Sequence, residues 1–215
     1  MTDTERQPLE VKWLGRRPYP EVHQQMLALR EARSRDEIGD QLLLVEHDAV
    51  YTRGRRLGEG EILDDSIEIL EVERGGQITW HGPGQLVAYP ILKLHGKGRD
   101  LHALLRLLED VIMDLLAGLG LESTRDPMGT GVFVEGRKIA SIGIAVKHWT
   151  CYHGLALNVT TDLAVFRAIR PCGLDWTVMT NLQRELAPRP VPGLPELAQE
   201  LAKCFERGFS HYPRA

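Results

Sequence analysis

The stretch from Arg74 to Gln85 constrains this chain more than any other, because Gly75, Gly76, Gly82 and Gly84 interrupt residues that otherwise favour strands. Glycine weakens a strand, so such density points to positive φ or to a close approach of backbone or ligand. Short strands at Gln77 to Trp80 and Gln85 to Ile91, joined by tight turns, satisfy the pattern. So does a small-molecule surface, and the glycines alone do not choose between them. The stretch is not a phosphate loop of the usual kind, since no Gly-Lys-Ser or Gly-Lys-Thr closes it into a helix.

Further strands are expected at Val11 to Leu14, Leu42 to Val45 and Ile69 to Val72. A hairpin is expected from Gly131 to Val134 and Lys138 to Val146 about the turn Glu135-Gly136-Arg137, followed by a strand from His153 to Val159. Pro20 opens a helix carrying Val22, Met26 and Leu29 at helical spacing. Asp100 is the expected N-cap of the strongest helix, whose residues Leu101, Leu104, Leu105, Leu108, Val111, Ile112, Leu115 and Leu119 make one wide apolar face. Leu163, Phe166 and Ile169 fit a short helix ending before Pro171, and the Arg53, Arg55, Arg56 cluster reads as a solvated turn. Pro188, Pro190, Pro192 and Pro195 form a stiff tether to a last helix with Leu197, Leu201 and Phe205. Clustered strands with helices before, between and after them predict an α/β (α+β) fold, a mixed sheet flanked by helices. At 215 residues the chain is read as one domain, 1–215, with the last helix appended through the tether 188–195.

Composition narrows the partners. A net charge of −4 with 6% aromatic residues supplies no field for a polyanion, so no nucleic acid is expected. No apolar run approaches the ~20 residues that span a bilayer, and the polar N-terminus has no secretory pattern, so a cytoplasmic protein without a membrane partner is expected. The odd set Cys151, Cys172 and Cys204 argues against a disulfide framework.

Two residues stand out chemically. Counting by two along the second hairpin strand puts Lys138 on a row with Ala140, Ile142, Ile144 and Val146, where a buried ammonium demands a reason unless its head reaches water. Cys172 lies in a loop between Pro171 and Gly173, where a thiol is reachable. Cys204 falls on the apolar side of the last helix. Cys151 lies close to His148 and His153 in sequence, but the spacing matches no zinc pattern, and no metal or other cofactor is expected.

Arg74-Gly75-Gly76-Gln77-Ile78-Thr79-Trp80-His81-Gly82-Pro83-Gly84-Gln85 resembles the signature of the lipoyl(octanoyl) transferase family. The likeness continues through Gly136-Arg137-Lys138-Ile139-Ala140-Ser141-Ile142-Gly143, then His153-Gly154-Leu155-Ala156-Leu157-Asn158-Val159, and Pro171-Cys172-Gly173. The related ATP-dependent lipoate-protein ligases share the first block, and the cysteine separates the two groups. The resemblance implies a fold similar to the catalytic domain of the biotin and lipoate ligases. It implies an octanoyltransferase that takes its acyl group from octanoyl-acyl carrier protein. The implied acceptors are the lipoyl domains of 2-oxo acid dehydrogenases and the glycine cleavage H protein. Cys172 would carry the acyl group as a thioester and Lys138 would act as acid and base. The chain would lie among Arg74, Gly75, Gly76, Gln77, Ile78, Thr79, Trp80, His81, Ser141, Ile142, Gly143, Gly154, Leu155 and Ala156. An ATP-dependent ligase and a non-catalytic acyl-binding module are the competing readings.

Overall fold

The computed structural model describes residues 8–56, 62–64, 66–126, 129–170 and 175–213. In chain order the elements are β1 (Glu10–Arg17), α1 (Tyr19–Ser34), β2 (Gln41–His47), β3 (Val50–Arg53), β4 (Ile69–Glu71), β5 (Ile78–His81), β6 (Gln85–Lys93) and α2 (Leu101–Gly118). There follow β7 (Thr124–Asp126), β8 (Gly129–Val134), β9 (Arg137–Lys147), β10 (Thr150–Asn158), α3 (Leu182–Leu186) and α4 (Leu194–Ser210). Seven strands form one sheet in the order β1-β2-β6-β10-β9-β8-β7, and β4-β3-β5 form a second, three-stranded sheet. The large sheet is antiparallel except for the β1–β2 pair, which α1 connects as a crossover.

Both faces of the large sheet are covered. Leu42, Leu44, Leu86 and Ala88 enter the core beneath α2 and α4, while Leu43, Val45, Val87 and Tyr89 enter the core beneath α1. Central strands covered on both faces become continuous apolar runs. That is why Leu42 to Val45 reads as a strand without alternating. On α2 the expected apolar face is buried from Leu104 to Leu115, but Leu105 and Leu119 are half-buried and Leu101, in the first turn ahead of the core, is exposed. Asp100 caps the helix by accepting from the His102 and Ala103 amides at 2.9 and 3.1 Å.

Several elements differ from expectation. Val50–Arg53 is a strand rather than part of a turn; Thr52 is fully buried, and only Arg55 and Arg56 of the arginine cluster are exposed. The polar strand β7 has no apolar pattern to announce it; its Arg125 is held by the buried Glu109 of α2 at 2.8 Å. The Leu163 to Ile169 segment forms a 3-10 turn over Leu163–Ala168, and Leu182–Leu186 is a helix that the sequence reading omitted.

Tight turns with positive φ bracket β9. Glu135 and Gly136 lie at φ 48° and 76°, and His148 and Trp149 at 50° and 56°. Such two-residue turns match the twist of the strands they join. Between Val132 and Phe133 the β8–β9 ladder slips by one residue, so Ile139 is an extra residue between Lys138 and Ala140. Ile139 and Ala140 both enter the α2/α4 core. Alternation counted through this bulge puts Lys138 on the face of Ser141 and Gly143, not on the row with Ala140, Ile142, Ile144 and Val146.

Truncating the core face of α2 tests this packing. Leu108→Ala is expected to lower unfolding free energy by about 2–5 kcal/mol. Asp100→Ala should cost about 1 kcal/mol through loss of the cap. Urea denaturation followed by circular dichroism measures both, and equal midpoints for the two variants would contradict the assignment.

Candidate active site

The glycine-rich loop is fixed by a buried arginine. Arg74 donates through Nη2 to the Thr52 carbonyl and Oγ1 at 2.8 and 2.9 Å, and through Nη1 to the carbonyls of Gln77 and Gly75 at 2.8 and 3.1 Å. A buried guanidinium is tolerated when its donors are satisfied in this way. The Gly75 amide donates to the Ile144 carbonyl at 2.8 Å, and the Arg55 and Arg56 amides donate to the carbonyls of Arg74 and Gly76. The loop is therefore bonded to β9 on one side and to the segment after β3 on the other.

The outcome is a narrow cleft that is open to solvent on one side. Its walls come from three separated parts of the chain: Arg74, Gly76, Gln77, Ile78, Thr79 and His81; then Ser141, Ile142 and Gly143; then Gly154, Leu155 and Ala156. Gly75 and Trp80 do not line it. Gly75 spends its amide on β9, and Trp80 packs edge-on against Phe166 in a third core cluster with Ile169 and Met179. Tyr89 and His153 also line the cleft, and sequence reasoning did not include them.

The cleft opens where β6 and β10 stop exchanging hydrogen bonds. Pro90 has no amide hydrogen to donate to the ladder, and in the register of these strands it lies opposite His153. His153 turns into the left-handed region at φ 57°, and its amide points to the Met26 sulfur at 3.2 Å. Its imidazole thereby reaches the α1 side, beside Tyr89, Tyr152 and His23. Cys151 stays in the α2/α4 core, where burial raises its thiol to about 12. A shared Cys151 and His153 site is therefore excluded. Gly154 is required for close approach, because a Cβ there would meet the Ala88 carbonyl oxygen at 2.1 Å.

Around the cleft the histidines are neutral. The His47 Nδ1–H donates to the Arg17 carbonyl at 3.1 Å, which leaves Nε2 to accept from the Tyr89 hydroxyl at 2.9 Å. The Gln85 amide nitrogen donates to Asn158 and to the Trp80 carbonyl, so its oxygen accepts from His81 Nδ1 at 2.8 Å. Asn158 in turn donates to the Thr180 carbonyl at 3.0 Å, and the Thr180 amide donates to the Lys138 carbonyl at 2.9 Å. This relay links the glycine-rich stretch, β10 and the strand that bears Lys138. Burial pushes His81 down to about 3, with His47 as the next contributor, and Gln85 only partly offsets the shift. Burial likewise takes His47 and His153 down to about 4.

Lys138 is 1% exposed, so its head does not reach water. Its Nζ donates to the Thr130 carbonyl at 3.1 Å and lies 5.7 Å from the centre of the Phe133 ring. Cys172 lies outside the described residues, together with Pro171, Gly173 and Leu174. Cys204 is buried on α4, and burial raises its thiol although Arg207 opposes the shift.

One cluster was not visible in the sequence. His23 on α1, Glu73 and His153 on β10 bring their ligand atoms within 4.8 Å of one another. The residues are separated by 50 and 80 positions, so no local spacing could have announced them.

Residues 18–206 match the family model described as the lipoyl protein ligase A/B catalytic domain. The chain is 51% identical over 162 residues to an octanoyltransferase of Geobacter sulfurreducens, covering 75% of this chain and 68% of that protein. It is 46% identical over 210 residues to an octanoyltransferase of Rubrobacter xylanophilus, covering 93% of each. Among solved structures it is similar to a lipoate-protein ligase A bound with ATP (TM-score 0.73, 16% identity, 98% of this chain and 88% of that one). It is also similar to the biotin protein ligase of Aquifex aeolicus (TM-score 0.53, 11% identity, 94% and 68%). At these identities the two structures bear on the fold alone, which is the ligase-like fold expected from the sequence motifs. Among the described residues no helix is long and apolar enough to cross a membrane.

The neutral histidines fix a pH dependence. Their folded values of about 3 to 4 lie below an unfolded value near ~6.5. The unfolded chain therefore binds more protons in that interval, and stability present above pH ~6.5 is lost as pH falls. The urea midpoint is expected to drop steadily between pH ~6.5 and ~5, before carboxylates titrate. The drop should be shallower in His47→Gln. A flat midpoint across that interval would show that these rings are not held neutral.

Proposed function

Because the chain belongs to the lipoyl protein ligase A/B catalytic domain family, and within it to the octanoyltransferases, we propose that it moves an octanoyl group from octanoyl-acyl carrier protein to the acceptor lysine of lipoyl domains. The observation that carries this reading is the convergence of three distant blocks on one narrow cleft, with the amine of Lys138 buried on the same strand as Ser141 to Gly143. Burying methylenes contributes about 0.8 kcal/mol each, so the seven-carbon tail would contribute on the order of 5 kcal/mol to binding.

In this reading Cys172 is the nucleophile and Lys138 its acid and base. The role of Cys172 rests on the Pro171-Cys172-Gly173 motif. Two described segments support it: Ile169, upstream, packs in the cluster with Ile78 of the cleft, and Met179, downstream, pairs with Lys138. A thiol titrates near ~8.5 and attacks as thiolate, so a neighbouring ammonium generates the nucleophile at neutral pH.

The Cys172 thiolate attacks the thioester carbonyl, a new C–S bond forms, and the pantetheine C–S bond breaks. The departing thiolate takes a proton from the Lys138 ammonium. The neutral amine of Lys138 then accepts a proton from the acceptor lysine as that nitrogen attacks the enzyme thioester. The amide forms, and Cys172 is released as thiolate beside the restored ammonium. Both half-reactions start from a thioester, so no nucleotide is consumed.

Incubation with octanoyl-acyl carrier protein and no acceptor should add one octanoyl group to the intact mass, and Cys172→Ala should abolish the adduct. Absence of an adduct, with ATP-dependent modification of a lipoyl domain from free lipoate, would instead assign the ligase chemistry. Tight acyl binding without either reaction would assign a binding module. Lys138→Ala should slow iodoacetamide labelling of Cys172 at neutral pH and shift its labelling profile to higher pH, measured against the Cys172→Ala background. An unchanged profile would remove Lys138 from the activation step.

A further inference from the structure

At the edge of the cleft that His153 lines, His23, Glu73 and His153 converge on one point. A single carboxylate oxygen of Glu73 lies 2.9 Å from His23 Nε2 and 3.3 Å from His153 Nε2. The two imidazoles stack at 5.7 Å between centroids with 30° between their planes. Bonds of about 2.0–2.2 Å to nitrogen and oxygen place tetrahedral ligand atoms about 3.3–3.6 Å apart. The Glu73–His153 separation matches, the Glu73–His23 separation of 2.9 Å has to open, and all three ligand atoms already lie within 4.8 Å of one another. We propose that His23, Glu73 and His153 form a three-ligand site for a divalent transition-metal cation of the zinc class, with the fourth position left to water.

Several features suit that role. Two imidazoles and a carboxylate form a donor set that zinc, cobalt and nickel accept, and that magnesium and calcium do not prefer. His153 is held on the α1 side by its left-handed backbone and by the Met26 sulfur at its amide, so its position is set before any ion arrives. Burial and His23 keep His153 neutral at physiological pH. In the metal-free protein each ring donates through Nε2–H to Glu73, so coordination moves that proton to Nδ1 on both rings and replaces the two hydrogen bonds by bonds to the cation. The Glu73 carboxyl is held low despite its partial burial, by hydrogen bonds from His23, its own amide and His153, so the anionic ligand is present as well. Access is available because the side chains of His23 and Glu73 are 20% and 33% exposed.

Arg74 opposes a cation, since its charge already lowers the proton affinity of His153. Glu73 offsets one positive charge, and the site is therefore expected to bind more weakly than a buried structural zinc site. A cation there would clamp α1 to β10 and to the residue preceding Arg74, tying the cleft wall to the helix that covers it.

The test uses the full-length chain carrying Cys172→Ser, which removes the competing thiolate. Equilibrium dialysis against micromolar Zn²⁺ is expected to give one bound equivalent, and Co²⁺ titration should give the visible absorption of a low-coordinate N/O site. His23→Gln and Glu73→Gln are each expected to weaken binding at least tenfold. Zn²⁺ should raise the thermal midpoint of the parent and not that of His23→Gln. The metal-free midpoint of His23→Gln, compared with the parent, establishes that the variant is folded. No binding at micromolar Zn²⁺, or binding and thermal shifts that persist unchanged in both variants, would overturn the site.

Discussion

The guanidinium of Arg74 is the interaction on which the rest of the site depends. It is buried, and its terminal nitrogens donate to the Thr52 carbonyl and hydroxyl and to the Gly75 and Gln77 carbonyls; without those acceptors its donors would be left unpaired away from water. Unpaired polar groups of that kind are costly. With the arginine in place, the loop is fixed between Ile144 of β9 and the segment after β3. Its charge also contributes to keeping His81 and His153 unprotonated. One side chain therefore sets the shape of the cleft wall and the electrostatic character of its lining.

The cleft itself arises from a local failure of the sheet. Proline at position 90 and a left-handed residue at 153 interrupt the ladder in the middle of two strands that are otherwise buried along their length. A sheet that remained regular there would present continuous apolar packing with no recess. Non-glycine residues in the left-handed region are uncommon and gather at functional positions. Here the strained residue both lines the recess and joins the His23 and Glu73 cluster.

Much of this was legible in the sequence, for identifiable reasons. The apolar periodicity of α2 and its aspartate cap are local signals, and three of the four glycines near Arg74 report real constraints: positive φ at Gly76 and Gly84, and close packing against Trp80 at Gly82 and against the Thr160 backbone at Gly84. The likeness in sequence motifs named the three blocks that line the cleft, although Gly75 and Trp80 turn out to support it from behind. What escaped was non-local. β7 is polar and held by a carboxylate on α2, and His23 meets His153 only through the fold. The face of Lys138 was misassigned because counting by two cannot detect a bulge, and one extra residue at Ile139 reverses the result. Its burial did not follow from the pattern either, since a lysine at a strand mouth ordinarily carries its head to water and this one is 1% exposed.

The two tight turns that bracket β9 limit how this protein can vary. Each holds consecutive residues in the left-handed region, so neither tolerates a change in length without altering the pairing it dictates. The strand between them already contains one irregularity, the bulge at Ile139, which sets Lys138 on the face of Ser141 and Gly143. A single codon inserted or deleted between Lys138 and Ser141 would put the amine and the hydroxyl on opposite faces of the strand. Divergence across that short stretch is therefore expected to proceed by replacement of side chains at constant length.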